Sequence, residues 1–509
     1  MDEALPVIGM ILAVLGYIAL VLGFLVFVGP FIAAGAALAL LAAAGAEYAR
    51  AVHRTISENA LKAAPSSQEG QPAFRQYFFG PALQDLREGA QAGLRGVWAL
   101  TLTWLGGAVQ RLFSDEDETV LLVTGPVGVA VVAGLGVGTV AWMLLLTAVA
   151  ALHALTVLAA QAVARVAIGL LRLADSAMRL GRGVRSTTCS NCYAPIDYPA
   201  YACPVCRRLH HDIRPGRYGV LRRRCACDRH RMPTLMILGS HKLTAYCAAC
   251  NDVLPDGTGY HEELLVPLYG GRGAGKTQLM AAMMAHLLAE GHGGPDSGRT
   301  KLADDPTRSA YTALENTLRS ADRAEATGPG LPRAHALRLA DDRMLLFFDA
   351  AGERYLSPEQ TGQLTYANVA RTALFVLDPL AVPAFRDLLS AAEAARLASA
   401  PASAVPPDKV FGILLKSLLG MGVLVDRSRL AVTVSKTDLV GGCAVLADRI
   451  EHSDWVHDWL AGPLELGNLV RTMENHFAEV RFFLHAAVLD ERGRPDPSIA
   501  PLVEWILEE

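Results

Sequence analysis

The sequence predicts an α/β fold, a mainly parallel sheet flanked by helices, preceded by small ribbons of four cysteines each and an α-helical transmembrane region. Three observations predict it. Two long blocks near the start carry no charge, eight of the nine cysteines crowd between Cys189 and Cys250, and apolar strand-like runs after residue 264 end in loops rich in glycine or acid. A length of 509 residues accommodates two to four structural units. We divide it into a transmembrane part with an intervening amphipathic segment (1–185), tandem cysteine ribbons (186–256) and the α/β domain (257–509).

The membrane reading rests on charge. Hydrophobic residues make up 52% of the chain and charged residues 19%, less charge than a soluble domain usually carries. Ala4 to Ala46 is 43 residues without a charge, and Thr119 to Ala164 is 46. As helix each reaches roughly 65–70 Å, about twice a ~30 Å bilayer core. Each block is therefore long enough for a helical hairpin, turned at Gly29-Pro30 in the first and broken at Gly134/Gly136/Gly138 in the second. The acidic start, Met1-Asp2-Glu3, does not fit a signal peptide. Arg50 and Arg54 follow the first block, and Arg165, Arg172, Arg179, Arg182 and Arg185 follow the second. Basic flanks mark the cytoplasmic side. The second block is thus expected to cross twice and the first once or twice, giving three or four passes of the inner (plasma) membrane with the C-terminal two-thirds in the cytoplasm. Glu47 to Glu118 mixes charged and apolar residues and is expected to lie on the membrane surface as amphipathic helices. From Arg165 to Lys242, fifteen Lys and Arg oppose four Asp, a net of +11 in a chain whose total is −4. Beside a membrane, such a stripe points to anionic lipid; nucleic acid is the alternative partner.

The cysteines form four knuckles. Cys189-x2-Cys192 and Cys203-x2-Cys206 lie ten residues apart, and Cys225-x-Cys227 and Cys247-x2-Cys250 nineteen apart. Taken in sequence order, each set supplies four thiolates for one closed, structural Zn²⁺, about two per chain. The segment is short and turn-rich, so metal binding would supply its folding energy. The cytoplasmic side disfavours disulfides. His210, His211 and His230 are near enough in sequence to replace a thiolate. Cys443 stands alone and reads as a small core residue.

The α/β domain opens with Leu268 to Thr277, LYGGRGAGKT. Gly270, four residues, then Gly275-Lys276-Thr277 is a full P-loop, between an apolar strand (Leu264 to Tyr269) and a helical run (Gln278 to Leu288). The stretch Gly270, Gly271, Arg272, Gly273, Ala274 and Gly275 can turn its N–H groups toward phosphates, and the new helix adds the positive end of its dipole. Lys276 is expected at the β- and γ-phosphates and Thr277 on Mg²⁺. A nucleoside triphosphate is therefore the expected ligand. Pro267 removes a ladder hydrogen bond from the strand, which is expected to bulge.

Two later strands bear on the base. Met344 to Phe348 ends at Asp349-Ala350-Ala351-Gly352. Asp349 can hold the Mg²⁺ shell, and Gly352 lets a backbone N–H approach the γ-phosphate. Leu430 to Val434 ends at Ser435-Lys436-Thr437-Asp438. Asp438 can accept from the guanine N1–H and N2–H₂, with Lys436 over the base; adenine lacks that donor pair.

In this order the motifs resemble the small-GTPase-like branch of P-loop proteins. The resemblance implies GTP as ligand, with Thr327 as the switch threonine, 22 residues before Asp349, and Thr300 and Thr307 as alternatives. His485-Ala486 falls where that family has its Ser-Ala guanine loop, which implies a base contact for Ala486. Several features depart from the pattern. Glu353 stands where Gln commonly orients water, adding negative charge beside the γ-phosphate. Ser435 replaces the usual Asn or Thr. The 71 residues between Thr277 and Asp349 imply an insertion, and a second spans roughly 381–427, with a mobile loop expected at Ser399 to Asp408 and a helix at Val410 to Val425. With membrane helices, cysteine ribbons, GGRGAGKT, DAAGE and SKTD in this order, residues 186–509 resemble the bacterial double-GTPase family, type two. That likeness implies a second, partner GTPase and a role in signalling or biological conflict. The expected function is a membrane-anchored, GTP-hydrolysing switch. The alternatives are a pseudo-GTPase scaffold, favoured by Glu353 and Ser435, and a P-loop ATPase.

Overall fold

The computed structural model describes residues 4–61, 71–113, 118–290, 299–319, 333–349, 365–446 and 453–508. It forms two units, Met1–Arg172 with Arg214–Met232, and Leu173–Ile213 with Pro233–Glu509.

In the first unit, helices α1 (Ala4–Phe27) and α2 (Gly29–Leu61) part at Val28. The expected hairpin turn is not formed. Val28 N–H still donates to Phe24 O at 2.8 Å and Ile32 N–H to Val28 O at 3.3 Å. Pro30 has no N–H to give, so one helical bond is missing here while its neighbours keep theirs. Side chains along α1, among them Ile8, Leu12 and Leu15, are exposed, as hydrocarbon-facing residues would be.

The second block is not broken either. Helix α4 (Glu118–Gly181) runs unbroken for 64 residues, with no turn at the glycines. Its glycines serve packing. A Cβ on Gly134 would lie 2.3 Å from Ala33 O, and one on Gly138 would lie 3.0 Å from Ala37 Cα. Small residues four apart on α4 thus meet small residues four apart on α2, the close approach that suits helices in lipid. Helix α3 (Pro81–Phe113) packs on α2 with glycines facing larger side chains, Gly89 against Val52 and Gly93 against Tyr48. Ala44, Val97, Trp142 and Leu146 close the junction. Among the described residues, three helical stretches are long and apolar enough to cross a membrane: Pro6–Phe27, Gly29–Thr55 and Thr124–Gly181.

The second unit holds a seven-stranded sheet. Its strands are β1 (Glu263–Tyr269), β2 (Lys301–Leu302), β3 (His335–Arg338), β4 (Met344–Asp349), β5 (Thr372–Leu377), β6 (Arg429–Val434) and β7 (Glu479–Leu484). They lie in the order β7-β6-β5-β1-β4-β3-β2. The central pairs are parallel, and β3 pairs antiparallel with β4 and β2. Both faces are covered, so the strands read as near-continuous apolar runs. Leu265, Leu346 and Phe375 point into one core, with helix α7 (Pro407–Gly420) laid over it through Phe411 and Leu414. Val266, Leu345 and Val376 point into the other, under helix α5 (Lys276–Glu290) and the C-terminal helix Ala500–Leu507. The expected bulge at Pro267 is absent from the β4 side, where the register runs evenly from Met344↔Glu263 to Asp349↔Leu268. On the other side β1 pairs with β5 only at Leu268 and Tyr269, beyond the proline.

Candidate functional site

The sheet's central strands end together, and the motifs meet there. The loop after β1 is shaped by glycine. Gly270 has φ +141°, and a Cβ there would lie 2.5 Å from Val376 O on β5. Gly273 and Gly275 also have positive φ, +78° and +95°. Helix α5 begins at Lys276, as the P-loop context requires. Lys276 Nζ folds back over the loop and donates to Gly270 O and Gly271 O, each at 3.2 Å. Its burial pulls the pKa below the usual lysine range, opposed by the Asp349 carboxylate. This is an ammonium held where phosphate oxygens would replace carbonyls.

Thr277 Oγ1 donates to Asp349 Oδ2 at 2.5 Å, so the helix start and the end of β4 deliver a hydroxyl and a carboxylate to one point. Two hard oxygen donors with phosphate oxygens and water fit Mg²⁺. Gly352, Glu353 and Thr327 lie outside the described residues. Thr300 and Thr307 are both buried. Thr307 Oγ1 accepts from Ala336 N–H at 3.1 Å, and Asp304 caps its N–H at 2.8 Å, at the start of helix α6 (Asp305–Arg319). The Thr307 hydroxyl is thus taken up inside the domain.

On the base side, Ser435 bonds to Leu377 O through its N–H at 2.9 Å and its Oγ at 3.1 Å. A side chain on Gly275 would touch Ser435 Cβ at 3.6 Å, so the serine backs the P-loop. Lys436 turns left-handed, φ +64°, and its Nζ pairs with Asp378 Oδ2 at 2.6 Å and with Pro401 O. Asp378 was not apparent from the motifs. It ends β5 before Pro379, and its carboxylate also accepts from Leu380 N–H at 3.0 Å and Ser403 N–H at 2.6 Å. The Asp-Pro step at the strand end is the signal that could have found it. Pro401 and Ser403 thereby join the loop at 399–408 to the motif lysine and its counter-ion. Asp438 lies on the short helix Thr437–Val440, where burial raises its carboxyl pKa and Asp496 adds repulsion. Ala486 N–H donates to Ser498 Oγ at 3.0 Å, a partner the sequence did not suggest.

His485 joins these strand ends, its N–H on Val434 O at 2.9 Å. The ring is fully buried, and among the described residues both its nitrogens lack hydrogen-bond partners. Burial pulls its pKa from 6.5 down to about 3, opposed by Asp496. The folded chain therefore stays neutral at His485 where the unfolded chain takes a proton. The resulting cost is absent above pH ~6.5 and grows as pH falls toward ~3, up to a few kcal/mol. Lowering pH from 7.5 to 5 should depress the thermal midpoint of the wild-type chain more than that of His485→Gln. Equal depression would remove His485 as a source of acid sensitivity.

The cysteines do not group in sequence order: the first and last knuckles meet. Cys189, Cys192, Cys247 and Cys250 form one group with ligand atoms within 4.8 Å of one another. That leaves Cys203, Cys206, Cys225 and Cys227 as the second set of four thiols. In the first, Cys189 Sγ–Cys250 Sγ and Cys192 Sγ–Cys247 Sγ are each 3.8 Å. That far exceeds a disulfide bond and matches the ~3.8 Å edge of a tetrahedron with ~2.3 Å Zn–S bonds. The knuckles share a backbone. Tyr193, Arg207, Asp228 and Asn251, each following a second cysteine, have φ between +56° and +61°. Each first cysteine donates its N–H to a carbonyl five residues on, at 2.9–3.2 Å. Backbone N–H groups of Asn191, Cys192 and Ala249 point at Cys189 or Cys247 sulfur at 3.4 Å, donors that favour thiolates. The residues present fit Zn²⁺. Cys443 is buried in the sheet core, as expected.

Residues 264–501 match the model of the family described as Double-GTPase 2. Among solved structures, the chain is similar to the Arl6 BBS3 small GTPase from Trypanosoma brucei with bound nucleotide analogue GppNp, at 14% identity, covering 48% of this chain and 96% of that one, with a TM-score of 0.24. It is also similar to the signal recognition particle receptor SRb-GTP/SRX complex from Chaetomium thermophilum, at 18% identity, 48% and 97% coverage and a TM-score of 0.27. No curated protein matches it. The P-loop, its paired threonine and aspartate, and the later Ser435–Asp438 turn all fall inside the span, residues 264–501, that matches the Double-GTPase 2 family model.

Proposed function

We propose that this is a membrane-anchored GTP-binding switch whose nucleotide state governs assembly with a partner. The observation that carries the reading is the Thr277–Asp349 pair at 2.5 Å beside Lys276. Lys276 neutralises phosphate charge, Thr277 and Asp349 hold Mg²⁺, and Asp438 accepts the two guanine N–H groups. Mg²⁺ held there would supply charge neutralisation to the phosphates. Thr327, Gly352 and Glu353 are assigned the γ-phosphate side, Glu353 positioning water. The three apolar helical stretches support the anchor, and the α/β domain is assigned the cytoplasmic face of the plasma membrane. The two thiol sets support about two Zn²⁺ per chain. A second GTPase or signalling protein is the proposed partner, with anionic lipid at the basic stripe. Part of that stripe is used internally: Arg179 donates to Asp197 O at 2.9 Å, and Arg182 lies 4.1 Å over the Tyr260 ring.

The test is GTP and ATP binding and turnover by the full chain in detergent with Mg²⁺. GTP-selective binding with turnover supports the switch, and preferential ATP binding would sink it. GTP binding without turnover supports the scaffold reading, which Glu353 favours. Asp438→Asn should weaken GTP by roughly 10- to 150-fold, the loss of a charge-assisted pair, and improve xanthosine triphosphate. An unchanged preference for GTP would remove Asp438 from the base site.

A further inference from the structure

The first cysteine site does more than close a ribbon. The residue after Cys192 is Tyr193, whose left-handed φ of +61° carries the chain away from the knuckle. Its ring is 1% exposed, among side chains of the sheet core. It meets Phe348 edge-on at 5.5 Å and Tyr366 edge-on at 4.9 Å, and those two stack at 4.2 Å. Phe348 is the peptide neighbour of Asp349. A metal-knuckle residue is thus one ring away from the carboxylate that bonds Thr277.

Two further contacts lead the same way. Ala334 N–H donates to Ser190 O, inside the first knuckle, at 2.7 Å. Arg333 donates to Asp252 Oδ2 at 2.7 Å and Val253 O at 2.8 Å, just past the other knuckle. Both halves of one metal site therefore grip the dipeptide that leads into β3, the strand beside β4. Thr188 N–H also donates to Glu263 Oε2, at the start of the P-loop strand, at 2.9 Å. A ribbon held only for its own stability has no need to place an aromatic ring under the Mg²⁺-side strand end.

We propose that the Cys189/Cys192/Cys247/Cys250 site is a positioning element of the nucleotide site, with Tyr193 as the residue that holds the Phe348–Asp349 strand end in place for Mg²⁺. This rests on the GTP-binding reading above. Tyr193 touches neither nucleotide nor metal; it acts through Phe348.

The test compares wild type, Tyr193→Ala, Tyr193→Phe and Cys250→Ser as full chains in detergent. The readouts are zinc per chain and GTP affinity as a function of Mg²⁺ concentration. Tyr193→Ala should keep the wild-type zinc content yet need about tenfold more Mg²⁺ for half-maximal tightening of GTP. Its affinity without Mg²⁺ should change less than threefold, and Tyr193→Phe, which keeps the ring, should behave as wild type. Cys250→Ser should lose one zinc and shift Mg²⁺ dependence in the same direction, so the proposal stays exposed if Tyr193→Ala does not fold. Wild-type Mg²⁺ dependence in a folded Tyr193→Ala chain, or in Cys250→Ser after zinc loss, overturns the proposal. A wild-type chain that binds no GTP overturns it too, and is told apart because the failure lies in the parent reading.

Discussion

Lys276→Ala should all but abolish GTP binding while leaving the empty chain at least as stable as wild type. The two halves of that result have one cause. In the folded chain the ammonium is buried and satisfied by Gly270 O and Gly271 O. Burying a charge is costly, so its removal relieves the empty chain of a desolvation penalty that offsets the two lost hydrogen bonds. With triphosphate bound, the same charge has its intended partner, and truncating one member of such a buried pair costs about 2–5 kcal/mol. That is a loss of roughly 30- to several-thousandfold in affinity. Titration calorimetry with GTP and a thermal melt without nucleotide give both halves. Retained affinity would sink the P-loop assignment; lost affinity with a collapsed melt would mean that Lys276 serves the fold.

The second large effect concerns zinc. Cys247→Ser should reduce metal content from about two zinc per chain to about one and open the first ribbon to protease. Structural zinc in small modules contributes about 10–16 kcal/mol, as much as the ~5–15 kcal/mol that stabilises a whole domain. The four short ladders here, such as Ala200–Ala202 with Leu209–His210, are two to three residues long and cannot replace it. Elemental analysis with limited proteolysis decides the matter. No zinc in the wild-type chain overturns the metal reading, and two zinc in the variant remove Cys247 from the site.

What was legible in the sequence was local. The P-loop announces itself because Gly270, Gly273 and Gly275 are where positive φ is required, and the strand ends at Asp349 and Ser435 follow from apolar runs of strand length. The cysteines gave their knuckles but not their partners. Pairing Cys192 with Cys247 depends on how the chain returns 55 residues later, which spacing does not encode. The glycines of α4 misled for a related reason. Gly134 and Gly138 suit a break or a close helix contact equally, and the choice depends on Ala33 and Ala37, a hundred residues away. Lys436 was placed over the base because its motif says so. Its pairing with Asp378 needed β5 and β6 to lie side by side.

The joining of the first knuckle to the last also imposes an order in time. A ribosome delivers Cys189 and Cys192 first, and at about 5–20 residues per second the 55 positions to Cys247 take roughly 3–11 s. During that interval the first pair has two ligands in hand and two not yet made. The last of its four cysteines, Cys250, precedes β1, which begins at Glu263, so all four thiols are made before the nucleotide domain is. On the proposal that this site holds zinc and steadies the strand end at Asp349, a chain made without zinc would fold its nucleotide domain lacking that support.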